Sequence, residues 1–216
     1  MLAGGVTVIG DLNPLARVVL RVLRDRDTGY EDFRRYMRIA GALLATYSLP
    51  SVARFRDVEV VTPLDSRARE LKPEGPLYVI GVLGAAIPLL EGFIDVAPWA
   101  RVGLVAAKRI EEGGRVMTEV FYVRLPKRLD GPAIVVDPML ATGGTVRAAL
   151  RVAAERGAER LAVASVIAAK PGIEAVRREF PEADIYTLAV DPELDHRYFI
   201  VPGLGDAGDR ALGAEA

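Results

Sequence analysis

Cysteine is absent from the 216 residues. That excludes disulfides, thiolate nucleophiles, zinc–cysteine sites and iron–sulfur clusters. Histidine occurs once, as His196. One imidazole leaves little room for a Ser-His-Asp triad or a multi-histidine metal site. Glutamine is absent too, and asparagine occurs once, at Asn13. Loss of these thermolabile types points to a thermophile, although the arginine excess (24 of 28 basic residues) fits genome base composition alone. An excess of either charge is also missing: 28 basic residues face 29 acidic ones, for a net charge of −1. That balance argues against a nucleic-acid coat or a polybasic membrane surface. The longest uncharged run, Gly75 to Leu90, spans sixteen residues and contains Gly81, Gly84 and Pro88. It falls short of the ~20 apolar residues a span requires. The first basic residue is Arg17, so no charged leader precedes an apolar segment. The expected location is cytoplasmic.

What is present fits a globular chain. Hydrophobic residues make up 51% and charged residues 26%, a soluble and ordered composition. The length is that of one large domain, or one with a small addition. A chain of this size buries roughly 70% of its unfolded surface.

Residues 12–24 place Leu15, Val18, Val19 and Leu23 at helical spacing, with Asn13 as N-cap and Pro14 at the first helical position. Residues 30–46 form a second amphipathic pattern, with Phe33, Met37, Ala40 and Leu44 inward and Arg34, Arg35 and Arg38 on a solvated face. Residues 57–62 are β-rich and stop at Pro63. The continuous apolar run at 77–83 reads as a strand buried on both faces, 133–136 and 161–167 as further buried strands, and 102–107 and 184–190 as strands. Helical patterns at 85–97, 146–156 and 171–179 separate them. Glu111 to Arg115 reads as a turn. Residues 117–125 read as a strand of a hairpin arm, with Val120 and Tyr122 on one face and Phe121 and Val123 on the other. Alternating β and α with apolar strands means an α/β fold with a parallel sheet. The last four residues read as a frayed end.

The loop between the strand at 133–136 and the helix from Val146 carries the clearest chemistry. In open parallel sheets, ligands sit beyond the carboxyl ends of the strands. Asp137 leaves the strand as a fixed carboxylate. Thr142, Gly143, Gly144 and Thr145 offer hydroxyls and unobstructed amides. The helix adds the positive end of its macrodipole, which completes an anion cradle suited to a phosphate monoester. The P-loop spacing with its lysine is absent, as is the dinucleotide G-x-G-x-x-G. A Gly-Gly pair alone is equally a plain turn; strand, acid, Thr-Gly-Gly-Thr and helix in that order are more specific. Downstream, Gly203, Gly205 and Gly208 in the segment 200–210 let backbone amides approach a flat ligand. A glycine-rich surface loop is the bland alternative there. His196 reads as an exposed loop residue, and Trp99 as an interface or surface anchor.

VVDPMLATGGT at 135–145 resembles the 5-phosphoribosyl-1-diphosphate (PRPP) loop of phosphoribosyltransferases. Its single acid followed by proline, Asp137-Pro138, is similar to the uracil phosphoribosyltransferase form. IVPGLGDAGDR at 200–210 resembles that family's C-terminal uracil-binding segment. Weaker likenesses at 23–28, 91–109 and 184–195 follow in the family's order and cover nearly the whole chain.

The resemblance implies a Rossmann-like central parallel sheet flanked by helices, with a hairpin arm or flap and a C-terminal base-binding hood. A single phosphoribosyltransferase domain is expected over 1–216: N-terminal helices at 1–50, core sheet and PRPP loop at 51–199, uracil segment at 200–210. It implies the reaction of uracil with PRPP to give UMP and pyrophosphate. The 5-phosphate would sit in Ala141, Thr142, Gly143, Gly144 and Thr145, with Pro138, Met139 and Leu140 completing the PRPP loop. Asp137 would accept from the ribose hydroxyls, and Arg109 would meet the pyrophosphate. Ile200, Gly205, Asp206 and Ala207 would read the uracil edge, with Asp206 also facing PRPP. Asp137, Arg109 and Asp206 are the implied catalytic set. Magnesium would ride on PRPP, with no protein ligand except a water-mediated approach to Asp206. GTP as activator, a pyrimidine nucleotide as inhibitor and a homo-oligomer (dimer or tetramer) are likewise implied.

Two positions depart from the pattern. After the strand at 77–83 the family usually reads leucine-arginine-alanine, and here Leu83-Gly84-Ala85 stands. A charged hydrogen bond from that arginine would be worth roughly 1.5–3 kcal/mol, about one or two powers of ten in rate or affinity. Three accounts remain open. Gly84 preserves a strained loop while Arg109 or Lys108 supplies the charge; a neighbouring subunit supplies it; or the chain is a PRPP- or nucleotide-binding regulatory paralogue with weak turnover. Thr46-Tyr47, where many relatives have tyrosine-glutamate, reads as a packing difference. A phosphoribosyltransferase for a purine or orotate is a further alternative, against which the single-acid loop and the GLGDAGD segment argue.

Overall fold

The solid apolar runs become the centre of a mixed sheet. A computed structural model describes residues 5–112 and 115–214; of residues 109, 111, 112 and 115–117 it describes the backbone only. In chain order the strands are β1 (Val6–Val8), β2 (Arg54–Val61), β3 (Arg67–Glu74), β4 (Tyr78–Val82), β5 (Arg101–Glu112), β6 (Arg115–Arg124), β7 (Ala133–Val136), β8 (Met139–Leu140), β9 (Leu161–Ala169), β10 (Asp184–Asp191), β11 (Glu193–Leu194) and β12 (Ile200–Val201). The helices are α1 (Ile9–Leu12), α2 (Pro14–Arg24), α3 (Tyr30–Val52), α4 (Ile87–Val96), α5 (Gly144–Glu155), α6 (Lys170–Glu179) and α7 (Ala207–Leu212). The main sheet runs β1-β10-β9-β7-β4-β5-β6. Every pair along it is parallel except β5–β6. This is the expected α/β sheet with helices on its faces.

Strands β4 and β7 are buried at every position, because each face of the sheet carries its own core. One core packs α2, α3 and α4 through Leu23, Phe33, Met37 and Leu89. The other packs α5 and α6 through Val146, Leu150 and Val176. Asn13 caps α2 as expected, its side chain accepting from the Leu15 amide at 3.0 Å, with Pro14 in the first turn. Arg34, Arg35 and Arg38 are exposed on α3, and Arg38 pairs with Asp95 of α4 at 2.6 Å. Tyr47 packs partly buried against the core, while Thr46 turns outward.

Several readings of the sequence are corrected. The buried face of α2 is Ala16, Val19, Leu20 and Leu23, whereas Leu15 and Val18 face solvent. Small Ala16 lies on the core side, which shifts the stripe by one position. The pattern at 30–46 continues to Val52 with Pro50 inside the helix. The alternation along β6 breaks because a bulge opposite Ala106/Ala107 inserts one residue: Ala106 pairs with Tyr122 and Ala107 with Val120. Phe121 is the extra residue, so Tyr122 and Phe121 are both exposed while Val120 and Val123 are half-buried. Glu111, Glu112 and Arg115 belong to strands, not a turn; Gly113 and Gly114 lie outside the described residues. Residues 1–50 are not purely helical, since β1 pairs with β10. The β2–β3 hairpin is a separate two-stranded sheet. Its second strand, RARELKPE, is exposed at most positions and left no apolar imprint. At the carboxyl end, Gly213 closes α7 with φ +69°; Glu215 and Ala216 lie outside the described residues.

Candidate functional site

Three loops leave the same edge of the sheet. β4, β7 and β10 point in one direction, so the segments after Val82, Val136 and Asp191 emerge side by side. β7 and β4 are neighbours, and β9 alone separates β7 from β10. The Asp137 and Asp191 strands therefore stand about 10 Å apart, two strand spacings.

The loop after β7 is shaped by close backbone approaches. Asp137 Oδ1 accepts from the Met139 amide at 3.3 Å, and Oδ2 accepts from the Thr145 hydroxyl at 3.3 Å. Burial pushes the Asp137 carboxyl up to about 6, while the Met139 amide and the Thr145 hydroxyl pull it down. The carboxylate thus sits in a partly desolvated place with spare acceptor capacity. Leu140 and Ala141 lean on α6, where a Cβ at Gly172 would lie 2.5 Å from the Ala141 carbonyl. Met139–Leu140 add a short pairing to β9, and Pro138 is buried behind them.

Gly143 is the N-cap of α5 at φ +78°, and no side chain caps the helix. The first-turn amides have no intrahelical acceptor, so they face outward with the helix dipole behind them. Thr142 is exposed above them, and Gly144 and Thr145 are half-exposed. A Cβ at Gly144 would fall 2.6 Å from the Thr118 hydroxyl. The cradle is therefore roofed by β6. Thr118 pairs in register with Arg109 of β5. Residues directly opposite in an antiparallel pair project to the same face, so the backbone places position 109 beside the cradle. The Arg109 side chain lies outside the described residues.

Gly84, after β4, has φ +104° and open space around its α-carbon. A left-handed turn here gives glycine a conformational reason to stand at this position.

The C-terminal segment is built separately and brought to the same edge. Ile200 is buried and pairs with Leu194 across β11–β12. A cis Val201–Pro202 bond follows. Gly205 is exposed at φ +74°. Asp206 is the N-cap of α7: its Oδ1 accepts from the Gly208 amide at 2.8 Å and the Asp209 amide at 3.0 Å. Ala207 is buried as the first residue of that helix. His196 is exposed, as its loop position suggested, and Trp99 lies at the surface.

Sequence reasoning missed the residues that hold this segment. Asp191 is buried and accepts from Arg24 and from the Gly203 amide, the latter at 2.9 Å. Arg24 also donates to the Gly203 carbonyl at 2.9 Å. Arg210 donates to the Leu204 carbonyl at 2.8 Å and the Asp25 carbonyl at 2.6 Å, and its guanidinium covers the Phe33 ring at 4.3 Å. The sequence signals were the family-like LRDRDT at 23–28, which contains Arg24 and Asp25, and the weaker likeness at 184–195, which contains Asp191; Arg210 lies in the 200–210 segment itself.

Among the described residues no three His, Cys, Asp or Glu side chains converge to hold a metal ion. No helix among them is long and apolar enough to cross a membrane.

Comparison with known proteins points the same way. The sequence model of the family described as "Uracil phosphoribosyltransferase" matches residues 12–214. A protein of that name from Aeropyrum pernix is 55% identical over 214 residues, covering 99% of this chain and 100% of its own. Another from Pyrobaculum arsenaticum is 46% identical over 201 residues, covering 91% of this chain and 94% of its own. A solved structure, the AQ2163 protein from Aquifex aeolicus, superposes with a TM-score of 0.85 at 28% identity, covering 98% of this chain and 99% of that one.

Proposed function

The chain belongs to the uracil phosphoribosyltransferase family, and on that premise we propose that it transfers the phosphoribosyl group of PRPP to uracil, giving UMP and pyrophosphate. The observation that carries this reading is the pairing of an uncapped, glycine-lined α5 N-terminus with an acid at the end of the adjacent strand.

Each residue then has a task. The α5 amides of 144–146 and the hydroxyls of Thr142 and Thr145 take the 5-phosphate. Asp137 accepts from the ribose hydroxyls, and this support strengthens as positive charge develops on the sugar ring. Arg109 supplies positive charge to the departing pyrophosphate. Uracil lies against Ile200, Gly205 and Ala207, where backbone donors and acceptors match its edge. Asp206 faces both substrates: with Oδ1 committed to α7, its other oxygen is the one turned to ligand. Magnesium is expected to arrive on the pyrophosphate of PRPP, with Asp206 approaching it through water. Bound there, it offsets the charge of the leaving group. The cytoplasm as location, GTP as activator, a pyrimidine nucleotide as inhibitor and assembly as a dimer or tetramer are carried over from the family likeness as further proposals.

The test is pyrophosphate release. Purified protein with magnesium, PRPP and uracil is expected to release pyrophosphate and form UMP in equal amounts. PRPP binding without product would favour the regulatory reading of Gly84.

A further inference from the structure

A positively charged recess lies in the angle between α1, α2 and the end of β10. It encloses about 460 Å³, within the range of small-molecule sites. Gly10 lies at its edge. A Cβ there would lie 2.5 Å from the Leu188 carbonyl, so only glycine lets α1 seat directly on β10. The floor is apolar, with Leu20, Leu188 and Val190.

One wall carries Arg17, Arg21 and Arg24. Their spacing of four and three residues stacks them along a single face of α2. Arg24 is engaged by Asp191 and Gly203. Among the described residues, no hydrogen bond or ion pair reaches the guanidinium of Arg17 or Arg21. Asp11 is the acid that shares the recess. Two unpartnered guanidinium forks one turn apart, above an apolar floor, match a phosphate group joined to a compact body.

We propose that this recess binds a phosphate-bearing small molecule through Arg17 and Arg21, at a place distinct from the α5 cradle. Arg24 links it to the C-terminal segment. An anion in the recess competes with Asp191 and the Gly203 carbonyl for the Arg24 guanidinium, and so loosens the loop at 202–206. The binding claim stands on the recess alone; only a consequence for uracil affinity rests on the function proposed above.

The probe is inorganic tripolyphosphate, titrated calorimetrically into wild type, the double variant Arg17→Ala/Arg21→Ala, and Gly144→Val, whose side chain fills the cradle. Wild type is expected to show two classes of site and each variant one. Loss of two charge-assisted contacts weakens the recess site roughly a hundredfold. Amide hydrogen exchange at Gly203 is followed in the same samples. Tripolyphosphate is expected to accelerate it in wild type and in Gly144→Val, and to leave it unchanged in the arginine double variant. Identical isotherms for wild type and the arginine variant would overturn the site. A lost site with unchanged or slower Gly203 exchange would overturn the coupling. UMP formation, measured separately, reports on the cradle and not on either result.

Discussion

Arg24 and Asp191, 167 residues apart in the chain, meet in a two-pronged ion pair, with Nη1 donating to Oδ2 at 2.8 Å and Nη2 to Oδ1 at 2.6 Å. Both partners also hold Gly203, one by its carbonyl and one by its amide. The end of α2, the end of β10 and the C-terminal segment are thereby one unit.

Arg24→Met removes the cation and leaves the buried Asp191 carboxylate uncompensated. Stability is expected to fall by about 2–3 kcal/mol, somewhat below the 3–5 of a fully buried pair because the arginine is partly exposed. Urea unfolding at constant m-value checks this. The uracil KM is expected to rise more than the PRPP KM, because the segment loosened is the one assigned to uracil.

Asp137 holds its proton to about pH 6 in the folded chain, against 3.8 ordinarily. The folded state therefore binds more protons than the unfolded state between these values. This contribution to stability is complete below about pH 4, falls as the pH rises through 6, and is gone above it. Asp137→Asn escapes that loss, so at pH 7.5 the variant is expected to be more stable by up to about 3 kcal/mol, at 1.36 kcal/mol per pKa unit. It is expected to be far less active, because an amide presents one acceptor oxygen and no charge. PRPP affinity should change differently between pH 5 and pH 7 in wild type and in the variant, which keeps only the change from the phosphate's own ionisation near about pH 6. Thermal unfolding and PRPP titration across that range decide both points.

Gly144→Ala brings a methyl group against the Thr118 hydroxyl, 2.6 Å from the ideal Cβ. Either the Thr118 side chain turns away or β6 shifts, at a cost of about 1–2 kcal/mol, and the PRPP KM is expected to rise. Thr118→Ala removes the colliding oxygen. The double variant should recover at least 0.5 kcal/mol, roughly the smallest coupling a cycle resolves for touching residues. Equal effects of Gly144→Ala in both backgrounds would deny the contact.

Gly84→Arg restores the side chain that the family usually carries, but at a position with φ +104°. The left-handed backbone is expected to cost about 1–2 kcal/mol. A lower melting temperature and no gain in turnover are the expected results. A rise in rate or PRPP affinity would favour the weakened-paralogue account.

The parallel core was legible because β4, β7 and β9 are buried on both faces and so leave unbroken apolar runs. The cradle was legible because its parts are contiguous, from Asp137 to Thr145. Other features left no local trace. β3 is mostly solvated and reads as charged chain. The β6 bulge reverses an alternation that the sequence alone shows as regular. Arg24 meets Asp191 across 167 residues and Arg210 reaches Leu23 across 187, separations at which spacing carries no information. Gly10, whose close fit against Leu188 seats α1 on β10 at the edge of the recess, looks like any other glycine before the fold is known.

The central claim is a choice of base, and a competition assay tests it most directly. Equal concentrations of labelled uracil, hypoxanthine and orotate are supplied together with PRPP and magnesium, and the nucleotide products are separated. UMP is expected as the dominant product, and Asp137→Asn is expected to suppress it. Product from hypoxanthine or orotate in preference to uracil would contradict the account.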